Sequence, residues 1–172
     1  MTGQTEDEVG PGAILEQLRQ VFRGTQRFVS VKAAEADLSP LDYFALTRIE
    51  VTKGMSGVAL GRELGLGRSS MTGLADRLED AGLLRRRAHP TDRRVVMLTA
   101  TAKGRRVVER SLTPVLSDLS KAIEKLSSKE QVAVSRMLVD VAAALERSSD
   151  SDATPSPMVP RIRTPSRRPA RP

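Results

Sequence analysis

Residues 56–101 read SGVALGRELGLGRSSMTGLADRLEDAGLLRRRAHPTDRRVVMLTAT. The stretch holds two short helical patterns separated by a glycine turn, SGVALGRELGLG and RSSMTGLADRLEDAG, followed by the hairpin pattern LLRRRAHPTDRRVVMLTA. In the second helix Met71, Leu74, Ala75, Leu78 and Ala81 recur at i, i+3, i+4, i+7 and i+10, one apolar stripe on a 3.6-residue period. The opposite side carries Ser69, Thr72, Gly73, Asp76 and Arg77. That face is short and hydroxyl-rich, where an ordinary surface helix carries several Lys or Glu. It suits a helix that enters a groove about 12 Å wide. A small solvated helix would satisfy the same pattern, so the flanking segments decide.

On the C-terminal side, Leu83–Arg87 begins a strand, Ala88–Asp92 forms a loop around His89-Pro90, and Val95–Ala100 is the β-branched return strand. Thr101 caps the next helix. Between Arg85 and Arg106 stand eight basic residues and one acid, Asp92, a net +7 in 22 residues that equals the charge of the whole chain. Such density repels itself unless an anion neutralises it. Asp92 and Arg94, two apart, share a face if the strand is extended. The carboxylate can then aim the guanidinium, which favours insertion into a narrow minor groove.

Further out, Ala13 to Ala34 carries Leu15, Leu18 and Phe22 at helical spacing and predicts a long first helix ending near Glu35–Asp37. Ser39-Pro40-Leu41-Asp42 is a helix start: Ser39 caps, Pro40 takes the first position and Asp42 can close a capping box. That second helix runs to about Thr52, with Tyr43, Leu46, Ile49 and Phe44 inward. Gly54 suits a left-handed cap. Ser56 caps the third helix. After Ala102, Val108, Leu112, Val115, Leu119, Ala122 and Leu126 step by alternating 4 and 3, a narrow seam for a partner helix or for packing within the chain. Pro114 should kink or interrupt it. Ser127-Ser128-Lys129-Glu130 supplies another cap, and Val134, Leu138, Val141 and Leu145 continue the seam to about Arg147. Residues 148–172, rich in Ser, Asp, Pro and Arg with a net +3, are expected to be a disordered tail. It is either merely solvated or a polybasic arm adding sequence-independent affinity.

Composition limits the alternatives. The 172 residues suit one domain with tails, or one completed by dimerisation. Aromatics are 2%, so the core must be Leu, Val, Ala and Met between helices. A net +7 favours an anionic partner. No apolar run is long enough for a membrane span, and the acidic start MTGQTEDEVG is no signal peptide, so a cytoplasmic location is expected. With no Cys and one His, disulfides, thiol switches and a His-based metal cluster are excluded, and no cofactor is expected.

Residues 13–147 resemble the MarR family of bacterial winged-helix regulators. The resemblance is densest over 59–104, in the L-x-R-S-x-x-T spacing of Leu66 to Thr72, the D-R-L-E-x-x-G-L of Asp76 to Leu83, and the P-x-D-R-R of Pro90 to Arg94. It implies a mainly α fold: a winged helix-turn-helix at 39–101 with a two-stranded β-hairpin wing, flanked by dimerisation helices at 13–36 and 102–147. Residues 1–11 would be a flexible leader. Carried over by position, the resemblance puts Arg68, Ser69, Ser70, Thr72, Gly73 and Arg77 of the recognition helix at or near double-stranded DNA. Arg87, Asp92, Arg93 and Arg94 follow as the wing. Leu15, Leu18, Leu112, Val115, Leu119, Leu138, Val141 and Leu145 become the homodimer contacts. Family members are usually repressors released by a small-molecule effector, whose pocket could take in Phe22, Tyr43 and Phe44; the same residues could be plain core. Three positions depart from the pattern: Gly73 stands where a long side chain is common, Gly61 for a usual Ala and Ala100 for a usual Leu. The last two are expected to reduce packing.

Two functions therefore compete: a sequence-specific homodimeric regulator on a pseudo-palindromic operator, and a nucleoid-associated protein of low specificity. An enzyme finds no support. Glu79-Asp80 lies at a helix end, Ser69-Ser70 lacks a base, and GLG matches no phosphate-loop spacing.

Overall fold

The computed structural model describes residues 10–89, 91–92 and 94–151, with side chains to Arg147. The elements in order are α1 (Pro11–Glu35), α2 (Pro40–Val51), β1 (Met55–Ser56), α3 (Gly57–Glu63), α4 (Arg68–Asp80), β2 (Leu84–Ala88), β3 (Val96–Ala100), α5 (Ala102–Glu124) and α6 (Ser128–Ser151). Two compact units result, one ending at Lys121 and the other starting at Ala122.

Helix α1 starts at Pro11, inside the expected leader, because a proline at the first helical position forfeits no hydrogen bond. Its end is held by Leu38 N–H donating to Ala33 O at 2.9 Å, with Asp37 left-handed at φ 56°. Helix α2 starts as expected, Ser39 Oγ accepting from Asp42 N–H at 3.0 Å. Asp42 does not close a capping box, however. Its carboxylate is taken by Arg77 of α4. At the far end Lys53 and Gly54 both have positive φ, 58° and 118°. Gly54 is required twice over, since a Cβ there would also stand 2.9 Å from Thr99 Cγ2.

Strands β2 and β3 form the hairpin, Leu84 facing Ala100 and Ala88 facing Val96. Two-residue β1 adds a third strand, in the order β1-β3-β2, with Met55 opposite Leu98. Sequence periodicity has no purchase on two residues. Ser56 serves both as strand partner of Met97 and as cap of α3, accepting from Ala59 N–H at 3.1 Å.

The core lies between α2, α3, α4 and the sheet: Leu46, Ile49, Leu60, Leu74, Leu78, Leu84 and Leu98 are all buried. Tyr43 is buried too, its hydroxyl 2.6 Å from Ser111 Oγ of α5. Phe44, expected inward, is 48% exposed. It sits one position, about 100° of helix, past Tyr43.

The start of α5 is fixed by Thr101. Its Oγ1 donates to Gly82 O at 2.7 Å and accepts from Gly104 N–H at 3.1 Å. Val108 is buried in this core and Leu112 packs against it. Leu112, expected in the dimer seam, is half-buried and packs in part on the winged-helix core of its own chain. Pro114 does not interrupt α5, although it leaves the Arg110 carbonyl without its α-helical donor. Gly61 leaves no hole, because a Cβ there would stand 3.2 Å from Leu66 O.

The second unit contains α6, opened by a reciprocal capping box. Glu130 N–H donates to Ser127 Oγ at 3.4 Å and Ser127 N–H to Glu130 Oε2 at 2.7 Å. The serine holds the Glu130 carboxyl below its usual range. Helix α6 runs to Ser151, four residues beyond the expected boundary. The remainder of the tail and the leader 1–9 lie outside the described residues. None of the described α6 side chains is buried. No helix among the described residues is long and apolar enough to cross a membrane.

Candidate nucleic-acid interface

Helix α4 forms where its apolar stripe requires: Met71, Leu74, Ala75 and Leu78 are buried. Arg68, Ser69, Ser70 and Thr72 are exposed over its first turn and a half. Gly67 at the cap supplies no side-chain acceptor. Thr72 Oγ1 donates back to Arg68 O at 3.0 Å, so its oxygen remains free to accept. Gly73 is half-buried, and a Cβ there would make ordinary contact with Arg77 Nη1 at 3.7 Å.

Arg77, expected at or near DNA, also has a partner within the chain. Its Nε and Nη2 donate to Asp42 Oδ2 and Oδ1 at 3.0 and 2.7 Å, the bidentate geometry that matches a guanidinium to a carboxylate. The Asp42 hydrogen bond makes Arg77 hold its proton more tightly. Arg77 therefore ties the recognition helix to α2 through two of its five N–H donors, and its side chain remains 56% exposed.

The wing is sorted by strand alternation. Leu84, Arg86 and Ala88 share one face of β2, and Arg85 and Arg87 the other. Arg86 turns toward α4, where Nη2 donates to Asp76 Oδ1 at 2.6 Å and Nη1 pairs with Glu79. The hydrogen bond to Asp76 leads in raising its pKa. Arg85 Nε donates to Thr99 Oγ1 at 3.2 Å. Lys103 Nζ donates to Ala81 O at 2.8 Å, satisfying a carbonyl at the end of α4. The guanidiniums of Arg68, Arg87 and Arg94 make no hydrogen bond or ion pair among the described residues.

At the tip, Asp92 Oδ1 accepts from the Arg94 backbone N–H at 3.0 Å, and Val95 N–H donates to Asp92 O at 3.0 Å. The segment is a turn, so the expected carboxylate–guanidinium contact of an extended strand does not form. Asp92 fixes the main chain of Arg94 instead. His89 closes the same turn, its N–H donating to Val95 O at 2.9 Å. Arg93 lies outside the described residues. The folded hairpin brings Arg86 and Arg94 to the cleft lined by Arg68, Thr72 and Asp76 of α4, with Val58, Met71 and Leu98 also in its lining. Helix and wing thus present cations and hydroxyls to one concave surface, which suits a phosphate backbone passing between them.

Comparison with known proteins agrees with that geometry. A family model described as MarR family matches residues 38–96. An uncharacterised HTH-type transcriptional regulator of Bacillus subtilis, YcgE, is 32% identical over 108 residues, 61% of this chain and 70% of that protein. The chain belongs to the MarR family. It is a DNA-binding transcription regulator of that winged helix-turn-helix type. The HTH-type transcriptional repressor Rv2887 of Mycobacterium tuberculosis is 29% identical over 132 residues, covering 77% of this chain and 93% of that protein. Two solved structures share the fold. Streptococcus pneumoniae FabT in complex with DNA has a TM-score of 0.65 at 23% identity, over 80% of this chain and 99% of that one. Apo wild-type MarR from E. coli has a TM-score of 0.52 at 21% identity, over 79% and 98%.

The sequence reading missed the partners of this MarR-family interface. Asp42 read as a capping-box residue, Asp76 and Glu79 as surface charge, and Arg85-Arg86-Arg87 as an undivided basic run. The signal for Arg86 was present: Leu84 must face inward, and a period of two puts Arg86 on its side.

Proposed function

We propose that the chain is a homodimeric, sequence-specific repressor of a pseudo-palindromic operator. Helix α4 of each protomer enters a major groove, with Arg68, Ser69, Ser70 and Thr72 contacting bases and phosphates. Gly73 keeps the centre of that face shallow. The wing follows the backbone into the flanking minor groove, Arg94 and Arg93 leading, Asp92 holding the turn and Arg87 reaching from the outer face of β2. Arg77 sets the angle of α4. The cleft that gathers Arg68, Thr72 and Arg94 carries this reading. The repressor sense follows Rv2887, which is named as a repressor.

Dimerisation through Leu15, Leu18, Val115, Leu119, Leu138, Val141 and Leu145 is supported by exposure: Leu15, Leu119, Leu138 and Leu145 are each at least half exposed. A two-fold dimer places its recognition helices one DNA turn apart, about 34–36 Å, or a small multiple of it.

Selection of sites from random duplex DNA at about 150 mM salt tests the proposal. A recovered pseudo-palindrome is expected. It then serves as the probe in a screen for the small effector that the family resemblance implies. Tight binding with no enriched motif would replace this reading with the architectural one.

A further inference from the structure

The central arginine of the run Arg85-Arg86-Arg87 turns toward the recognition helix with a third of its side chain still exposed, opposite Leu98 in the ladder. It joins two carboxylates one turn apart on α4. Nη2 donates to Asp76 Oδ1 at 2.6 Å, Nη1 pairs with Glu79 Oε2, and the Arg86 backbone N–H donates to Glu79 Oε1 at 3.3 Å. Glu79 thus grips both the main chain and the side chain of β2. Asp76 and Glu79 are 53% and 38% exposed, and among the described residues no other cation pairs with either. Asp76 lines the same cleft as Arg68, Thr72 and Arg94. The cleft therefore contains one carboxylate, Asp76, with Glu79 one turn further along α4, both neutralised in part by one guanidinium.

We infer that Arg86 is a positioning residue for DNA binding, which serves the interface by holding and screening Asp76 and Glu79 rather than by touching DNA. Both its terminal nitrogens are engaged by carboxylates, two of the five guanidinium N–H groups, and only 33% of its side chain is exposed. Only a planar fork can span two carboxylates in this way; an ammonium is a point charge. Without Arg86, a charge of −2 would stand beside the phosphate path and the root of the wing would lose its tie to α4. The inference rests on the DNA-binding reading above.

The test is operator affinity over a salt series for the full chain and its variants. Arg86→Met is expected to weaken binding roughly tenfold, the scale of an unscreened charge near a phosphate. Because that penalty is Coulombic and screened by ions, the loss should shrink as salt rises, and rescue by removing the carboxylates is the deciding readout. Adding Asp76→Asn and Glu79→Gln to Arg86→Met should restore most of the loss, and the gain should exceed what the same two changes bring to a chain that keeps Arg86. A slope reduced by about 0.9, with no rescue, would show that Arg86 itself binds phosphate and would overturn the inference. Unaltered affinity in Arg86→Met would overturn it as well. Should that variant not fold, Arg86→Lys carries the test: a partial loss, relieved by removing the carboxylates, supports the inference, and a full-strength lysine overturns it. A wild-type chain without salt-dependent DNA affinity takes down the DNA-binding reading together with this one. Wild-type binding matched by Arg86→Met takes down this one alone.

Discussion

Arg77 and Arg94 show that two arginines near one surface can do different work. Arg77 spends its fork on Asp42, whose side chain is only 6% exposed. Arg94 is held at its backbone, and its guanidinium is unpaired among the described residues. Arg77→Ala leaves a buried carboxylate without its partner, although water reaches the pair from the exposed arginine side. A loss of about 1–2 kcal/mol of stability is expected, read as a lower denaturation midpoint, with the salt slope of DNA binding unchanged. Arg94→Ala should do the reverse: unaltered unfolding, weaker binding, and a salt slope smaller by about 0.9. Identical binding by Arg94→Ala would remove the wing from the interface. A second ion pair links α2 to α3, where Arg48 Nε and Nη2 donate to Glu63 Oε2 and Oε1 at 2.5 and 3.1 Å. The hydrogen bond from Arg48 holds the Glu63 carboxyl below its ordinary 4.5. A depressed carboxylate stabilises the fold above its unfolded pKa, and that contribution disappears as pH falls through the folded value. Acid titration of stability should therefore be shallower below about pH 4.5 in Arg48→Met than in the wild type.

At the scale of elements, the junction between wing and α5 is closely packed. Gly104 lies against the chain after α4 so closely that a Cβ would stand 2.1 Å from Leu83 O and 3.2 Å from Leu46 Cδ1. Leu83 O also accepts from Thr101 N–H at 2.9 Å, so it cannot retreat without losing that bond. Gly104→Ala is expected to destabilise the winged domain by about 3 kcal/mol, although alanine is the better helix former. Thermal unfolding decides, since a stabilised variant would mean that α5 can shift. Nothing in the sequence announces this constraint, because it arises from two backbones meeting in space. What could be read was what repeats or caps. The stripe Met71 to Leu78 gave the buried face of α4, Ser39 and Ser56 their helix starts, and Val96 to Ala100 the return strand. The 4-3 spacing of α5 was ambiguous for a physical reason. One apolar line serves two surfaces in turn, with Val108 and Leu112 packing on the domain's own core and Leu119 exposed beyond them. Partners of charged residues were equally illegible, since Asp42 and Arg77 meet across 35 positions of chain.

At the scale of the molecule, the second unit has helices and caps but no buried side chain on α6 among the described residues. Leu138, Val139 and Leu145 are 53%, 64% and 50% exposed, and Leu119 of α5 is 54% exposed. Burying one such leucine is worth about 1.5–3 kcal/mol, so a chain leaving this many in water gains from a second copy. In the proposed dimer the face so covered would also supply specificity. On the proposed reading one α4 would reach only a half-site, and two linked protomers would bind a palindrome through effective concentration. Leu138→Glu is therefore expected to yield a monomer by light scattering, because it puts a charge at the centre of the α6 seam. Its winged domain should unfold as the wild type does, since that core lies in the other unit. Operator affinity should fall by at least about 100-fold, with the half-site affinity retained. A dimer that survives Leu138→Glu with full operator affinity would place the two-fold contact elsewhere, and the exposed line of α1 from Leu15 to Phe22 would be the next face to charge.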